Sequence, residues 1–508
     1  MLFAPSGVLA FSGPTSSPPS TAAVSFQTRW DASLGHATSS VAAPPTYPKH
    51  CDLAVVGAGW GGAYLAWRLS VDTKTVDASN VCVFEANGRV GGRIFSVRDL
   101  PHFGDLTVDV GGYRFQETQK LPADLVFSAL KLETACYDYS CQANCEGTVC
   151  HVIKDAYGNN RGYATVIERM LGEVEDAGAG TQVYFGALLT AVNAAPVTAG
   201  KRATQLVFAN GEKVTASKLV LNLPGNAVEG LDPASVVFSD ATAKAGKWLG
   251  KVDAFPMTKV YAWYDDAWWS TKLGKMEGYF GEQKTNTSNS SGHHFPMPAN
   301  YNGTAPLLGR YHDGPQRCLI GNDTAGNPVY SGNKVPYGDC AGALEVYYGY
   351  APPYYAALMP TPLQPLTVAT AEDGKNSSKQ LISDVHAALM AYHTKVLRKK
   401  GIDPSTVPAP KAVVMGNWIS DGKYTPGIGS LFRNSYLPLS EQDKVRQAIR
   451  APTPDYDVFV ADQDYGYQSG WAVGSLIMAE KILQAELGLA KPTWLNSSWY
   501  QDNVLAHA

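Results

Sequence analysis

The residues with the clearest chemistry form a short glycine-rich run, Gly57-Ala58-Gly59-Trp60-Gly61-Gly62. It follows the apolar stretch Leu53-Ala54-Val55-Val56 and precedes Ala63-Tyr64-Leu65-Ala66-Trp67-Arg68-Leu69, so G-x-G-x-x-G stands between a strand and a helix. In that setting Gly57 permits a tight turn, Gly59 lets backbone approach a pyrophosphate, and Gly62 lets helix and strand pack closely. The helix start offers free N–H groups and the positive end of its dipole to the phosphates. A second strand, Val81-Cys82-Val83-Phe84, ends in Glu85, placed to accept hydrogen bonds from an adenosine ribose. Taken alone the glycine pattern is weak, because ligand-free strand turns use the same residues.

The continuation is more specific. Glu85-Ala86-Asn87-Gly88-Arg89-Val90-Gly91-Gly92-Arg93 resembles the E-A-x-x-R-x-G-G-R signature of the FAD-dependent amine oxidase superfamily. The resemblance implies FAD, with Glu85 and Ala86 at the adenosine, Gly91 and Gly92 passing the phosphates, and Arg89 and Arg93 helping to hold them. It covers roughly residues 50–488. It also implies the fold class: an α/β chain whose Rossmann-like FAD-binding domain, of the GR2 type, is assembled from discontinuous segments, beside a mixed-sheet substrate domain.

Enzymes of this superfamily take a hydride from the carbon bearing the amine and pass it to flavin N5, while the protein supplies orientation and electrostatics. Met257-Thr258-Lys259-Val260-Tyr261-Ala262-Trp263-Tyr264 and the following Trp268-Trp269 resemble the family strand whose lysine contacts N5 through a water and aids reoxidation by dioxygen. Lys259 occupies that place. Tyr424 and Trp471 match the two aromatics that frame the substrate, and Trp471 also borders the flavin. A cysteine precedes this tyrosine where the flavin is covalent; here Lys423 stands there, which implies non-covalent FAD. Asp462, in Val458-Phe459-Val460-Ala461-Asp462, replaces the usual glutamate at the ribityl chain.

Three positions point to a carboxylate-bearing substrate. Val110-Gly111-Gly112-Tyr113-Arg114-Phe115 resembles the L-amino acid oxidase segment whose arginine pairs bidentately with the substrate carboxylate, a task suited to a planar guanidinium fork. Arg114 is the matching residue, Tyr348 matches a tyrosine donating to the same carboxylate, and Gly470-Trp471 matches a Gly-Trp pair. Read structurally, Arg114 would instead be a packing or phosphate-facing arginine. The long helical domain of such oxidases has only residues 116–204 available to it, part of which the cysteine cluster uses, so a truncated or rebuilt entry funnel is expected.

At 508 residues, 45% hydrophobic and 17% charged, the chain is globular and long enough for two or three domains. A net charge of −4, with no basic cluster beyond Leu397-Arg398-Lys399-Lys400, argues against a nucleic-acid partner. No stretch approaches the ~20 apolar residues of a membrane span. The expected division is a leader at 1–49, FAD segments at 50–115, 205–254 and 411–488, a mainly helical, cysteine-rich segment at 116–204, the substrate domain at 255–410, and a tail at 489–508. Within these, 106–115 reads as a strand ending in a glycine turn. A helix is expected at 161–174, a hairpin around Asn210-Gly211, a separate buried strand at 219–224, and further helices at 379–400 and 470–487.

Cys136, Cys141, Cys145 and Cys150 lack the paired C-x-x-C spacing of zinc sites, so disulfides are expected, with their three pairings left open and no metal. Cys318 and Cys340 form a second group; Cys51 and Cys82 are expected to be small buried thiols. Sequons at Asn286, Asn289, Asn302, Asn322, Asn376 and Asn496 agree with an oxidising, secreted or lumenal setting, although the leader makes a poor secretory signal. A homodimer is compatible with the sequence, which fixes no oligomeric state.

The leading reading is an FAD-dependent oxidase of an L-amino acid or related amine, with dioxygen as second substrate and hydrogen peroxide as product. Cys51-Asp52-Leu53-Ala54-Val55-Val56-Gly57, Ala267-Trp268-Trp269 and Asp457-Val458-Phe459-Val460 also resemble the algal polyenoic fatty acid isomerases, which bind a carboxylate and return the hydride elsewhere. A double-bond isomerase is therefore the alternative, and a flavoprotein without turnover a third reading.

Overall fold

The computed structural model describes residues 46–72, 80–100, 103, 106–137, 147–178, 180–196, 202–239, 253–281, 305–350, 352–358, 365–418, 431–433, 438–466 and 470–505. Nearly all of the expected leader, Tyr424, Cys141, Cys145 and three of the sequons lie outside these residues.

Two sheets organise the chain. In the first, Gln182–Tyr184, Val81–Phe84, His50–Val56, Lys213–Leu221 and Val458–Val460 run parallel in that order. Its central strands are almost continuously apolar because helices cover them. Trp60–Trp67 is buried along its whole length and packs against the helices Ala164–Asp176 and Ala472–Ala485. These segments, distant in sequence, make one discontinuous Rossmann-like α/β domain. The Asn210-Gly211 hairpin joins Thr204–Phe208 to Lys213–Leu221, with Gly211 at φ 86°.

Several boundaries differ from the sequence reading. The hairpin arm and the expected separate strand are one strand, since Lys213–Leu221 pairs antiparallel with the hairpin at its start and parallel with Val458–Val460 at its end. Gln182–Tyr184 and Leu189–Ala194, expected on the substrate side, belong to the dinucleotide sheet. Ala412–Trp418, expected in the third FAD segment, joins the other sheet instead. Residues 106–115 hold only the short strands Val108–Asp109 and Phe115–Gln116, because Gly111-Gly112 must fold closely over Arg93: a Cβ on Gly111 would lie 2.1 Å from the Arg93 carbonyl oxygen. The expected tail packs too, with Leu495, Tyr500 and Val504 buried and the Tyr500 hydroxyl donating to Glu480 at 2.9 Å.

The second sheet is eight-stranded and its pairings are antiparallel, with Met257–Tyr264 at its centre between Cys340–Tyr350 and Ala412–Trp418. Alternation along a strand sends successive side chains to opposite faces. Val260, Ala262 and Tyr264 meet the outer core with the helix Asn376–Lys399, whereas Met257, Tyr261 and Trp263 join the core shared with the dinucleotide domain. Lys259 falls on that inner side by the same two-residue period.

Cys51 and Cys82 are bonded to each other, not free thiols as expected. They lie on neighbouring parallel strands facing the same core, with Cα atoms 6.0 Å apart, inside the range a disulfide spans. Cys318–Cys340 is a second disulfide, Cys136 and Cys150 are also disulfide-bonded, and the described residues contain no free cysteine. Such bonds accord with an oxidising compartment. Because Cys51–Cys82 closes a separation of 31 residues, the Cys51→Ala/Cys82→Ala variant is expected to lose about 3 kcal/mol, read as a lowered denaturant midpoint. No helix among the described residues is long and apolar enough to cross a membrane, and none of their His, Cys, Asp or Glu side chains group as a metal site.

Candidate active site: a dinucleotide cradle and a cationic box

Gly57 turns with φ 101°, and a Cβ there would lie 2.3 Å from the Asn222 carbonyl oxygen. A Cβ on Gly62 would lie 1.9 Å from the Gly57 carbonyl oxygen, so only glycine lets the helix sit this close to the strand. Asn222 locks the arrangement, its Oδ1 accepting from the Gly62 N–H at 2.7 Å. Gly59 is different. Its φ of −80° suits any residue, and a Cβ would meet nothing nearer than 3.6 Å. The fold itself does not demand a glycine there, whereas a ligand pressed against the backbone would.

The second glycine segment is tied to the first: the Gly91 N–H donates to the Ala58 carbonyl at 2.8 Å. A Cβ on Gly92 would stand 4.0 Å from the Gly59 Cα, so these two glycines face each other. Glu85 braces the turn, accepting from the Ala58 N–H at 2.9 Å through Oε2 and from the Asn87 N–H at 2.9 Å through Oε1. Ala86 follows it, half-buried. Arg89 is buried with its guanidinium 4.0 Å above the Phe95 ring, and its Nη2 has no hydrogen-bond partner among the described residues. Burial pushes its pKa down to about 10, with Glu85 opposing the shift. Its Nη1 donates to the Val90 and Ile94 carbonyls at 3.3 and 3.4 Å, so Nη2 is the buried donor that a phosphate would satisfy. The residues present therefore fit a dinucleotide.

Residues 55–125 match the NAD(P)-binding Rossmann-like domain. This part of the chain belongs to the Rossmann-like α/β domain described above. Achacin, from Lissachatina fulica, is 39% identical over 71 residues, a span of 14% of this chain and 12% of achacin. The chain thus covers far less than two thirds of that relative. Together with the sheet order, these likenesses are consistent with a flavin- or NAD(P)-binding oxidoreductase fold.

Arg93 and Asp462, both expected at the cofactor, are paired with each other. Arg93 Nη2 donates to both Asp462 oxygens at 2.7 Å, and its Nη1 to Asp464 at 2.7 Å. This ties the cradle to the end of the last strand, where the Asp464 carboxyl is pushed well up by burial and then eased by Arg93.

The cradle leads directly into the expected substrate residues. The Gly112 N–H donates to the Arg93 carbonyl, and Arg114 follows two residues on. Its guanidinium carbon lies 4.3 Å from the Tyr137 ring centre, 4.9 Å from Tyr113 and 5.9 Å from Trp471. Nη1 donates to the Tyr113 hydroxyl at 2.5 Å, and no carboxylate among the described residues lies within 4 Å of Arg114. Lys259 is the register partner of Tyr348. Its buried Nζ donates to the Asp109 carbonyl at 3.1 Å and lies 3.4 Å from the Tyr113 ring centre and 4.7 Å from Tyr348. Burial lowers its pKa to about 8, against the pull of Glu345 and Asp313. Gly470, at φ 87°, turns the chain into Trp471 at the helix start. The structure thus brings Arg114, Tyr348, Lys259 and Trp471 to one place.

Sequence reasoning missed the groups behind them. Arg310 Nη1 donates to the Tyr113 hydroxyl at 3.0 Å and to Asp313 at 3.2 Å, and its guanidinium lies 4.7 Å from the Tyr348 ring centre. Glu345 is fully buried, its carboxyl pushed well above the ordinary range by burial and then by Asp313. Arg114, Arg310 and Lys259 thus gather around the buried carboxyls of Asp313 and Glu345, with Asp109 also beside Lys259, and burial makes Glu345 the harder of the first two to ionise.

Proposed function

We propose that the protein is an FAD-dependent oxidase of an L-amino acid or a related carboxylate-bearing amine, acting in an oxidising, secreted or lumenal setting. The reading is carried by Arg114, a cation with open donors and no acid partner among the described residues, set beside Lys259, Tyr348 and Trp471. Non-covalent FAD suits the cradle, with Arg89 and the opposed Gly59 and Gly92 at the pyrophosphate; when bound, the flavin accepts a hydride from the amine carbon and is reoxidised by dioxygen. Arg114 would hold the substrate carboxylate through two parallel N–H donors, with the Tyr348 hydroxyl adding a third. Trp471 and Tyr424 would frame the amine carbon and keep water out. Lys259 would hold its proton at Nζ, where positive charge favours the negative charge that develops on dioxygen. The imine released would hydrolyse in water to a 2-oxo acid and ammonia.

Peroxide release during incubation with a panel of L-amino acids tests this reading. Conjugated-diene absorbance from polyunsaturated acids, with no peroxide from any amino acid, would identify the redox-neutral isomerase instead. Lys259→Met is expected to slow oxygen consumption roughly a hundredfold while the cofactor stays bound. In the unaltered protein, oxygen consumption should fall as pH rises through about 8, where the ammonium is lost. The variant should show no such step, and an unchanged pH profile would assign the step to another group.

A further inference from the structure

A buried arginine and a nearby carboxylate in a low-dielectric interior ordinarily pair directly, and such a pair consumes the arginine's fork. Arg114 does not do this, although Asp313 is only one hydroxyl away. Between them stands Tyr113, whose hydroxyl accepts from Arg114 Nη1 at 2.5 Å and donates to Asp313 Oδ2 at 2.9 Å. Asp313 is a strong competitor for Arg114. It is fully buried, and no N–H or hydroxyl of the described residues donates to its Oδ1. That leaves the neighbouring Glu345 carboxyl, held in its neutral form by burial and by Asp313, as the other group it hydrogen-bonds. Arg310 engages only Oδ2, and His312 Nε2 stands 3.5 Å from Oδ1, too far for a good hydrogen bond.

The Tyr113 ring is well placed to act as a fixed spacer. It is buried, receives the Lys259 ammonium 3.4 Å from its centre, and meets Tyr137 and Tyr348 edge-on at 5.6 and 6.1 Å. The hydroxyl has one proton to give, and the charged Asp313 takes it in preference to the Tyr137 hydroxyl at 3.1 Å. Tyr113 and Tyr137 present ring faces to Arg114, which stabilise the buried cation without occupying most of its edge donors.

We infer that Tyr113 is a positioning residue that keeps Arg114 open to a substrate carboxylate, its hydroxyl separating that guanidinium from Asp313. The inference rests on the reading of Arg114 as the carboxylate's partner, but not on turnover. In Tyr113→Phe the ring and its packing remain while the spacer is gone, so Arg114 closes on Asp313.

Calorimetric titration of the full-length protein with benzoate, a carboxylate with no amine to oxidise, tests it. Tyr113→Phe is expected to weaken benzoate binding roughly tenfold, the value of a charged hydrogen bond. Adding Asp313→Asn to that variant should restore binding, because the competing charge is removed; a purely structural loss would not recover. Asp313→Asn alone, which leaves Tyr113 intact, should bind benzoate at least as tightly as the unaltered protein, and this comparison stands even if Tyr113→Phe does not fold. The inference is overturned by Tyr113→Phe binding as well as the parent, by no recovery in the double variant, by weaker binding in Asp313→Asn, or by a parent protein that binds no benzoate. Should the benzoate pattern hold while no amino acid yields peroxide, the spacer role stands and the oxidase reading falls.

Discussion

Arg114→Ala should raise KM for carboxylated substrates roughly a hundredfold, as expected for losing two charge-assisted hydrogen bonds in a buried site. Amines without a carboxylate should lose little, because they never engage the guanidinium. The split between the two substrate classes is the informative quantity. Arg114 also packs against Tyr113, Tyr137 and Trp471, and removing that packing would damage both classes alike. Equal losses for carboxylated and simple amines would therefore make Arg114 a structural residue. Arg114→Lys should recover only part of the loss, since an ammonium supplies the charge but not the parallel donors.

The second large effect separates two glycines of one motif. Gly62→Ala places a methyl group 1.9 Å from a backbone oxygen, a contact relieved only by moving the helix off the strand. It is expected to cost about 3 kcal/mol of stability and to abolish cofactor binding together with the fold of the cradle. Gly59→Ala should behave differently. Its added methyl meets ordinary van der Waals distances and its backbone needs no positive φ, so the cofactor-free protein should be as stable as the parent. Cofactor affinity should nevertheless fall more than tenfold, as the methyl occupies space the pyrophosphate needs. Thermal midpoints with and without added FAD distinguish the pair; unchanged affinity in Gly59→Ala would contradict the placement of phosphates at this turn.

The dinucleotide domain was legible in the sequence because its signal is local. A strand, a glycine turn and a helix are contiguous, and Gly57 and Gly62 are glycines for reasons internal to that turn. Met257–Tyr264 reads as a strand, but all eight of its residues are buried, so which face carries Lys259 shows only in the packing of the two cores. What stayed hidden depends on contacts between distant segments. Cys51 and Cys82 bond because two strands are neighbours in the sheet, and nothing in their spacing encodes that adjacency. Arg93 meets Asp462 across 369 residues and Tyr113 meets Asp313 across 200, so neither pairing leaves a sequence pattern. Tyr137 was masked by the cysteine cluster in which it stands, and Asp313 by the polar loop around it. Strand bounds failed where one strand serves two partners, as Lys213–Leu221 does, or where Gly111-Gly112 interrupts an apolar run to pass over Arg93.

The central claim is that a flavin dinucleotide lies along the turn from Gly57 to Arg93. The absorbance spectrum of the purified protein, before and after incubation with FAD and removal of the excess, tests it most directly. The account predicts visible flavin absorbance that is released as free FAD on denaturation, at about one FAD per chain. A protein that is colourless as isolated and remains so after FAD is supplied would contradict it.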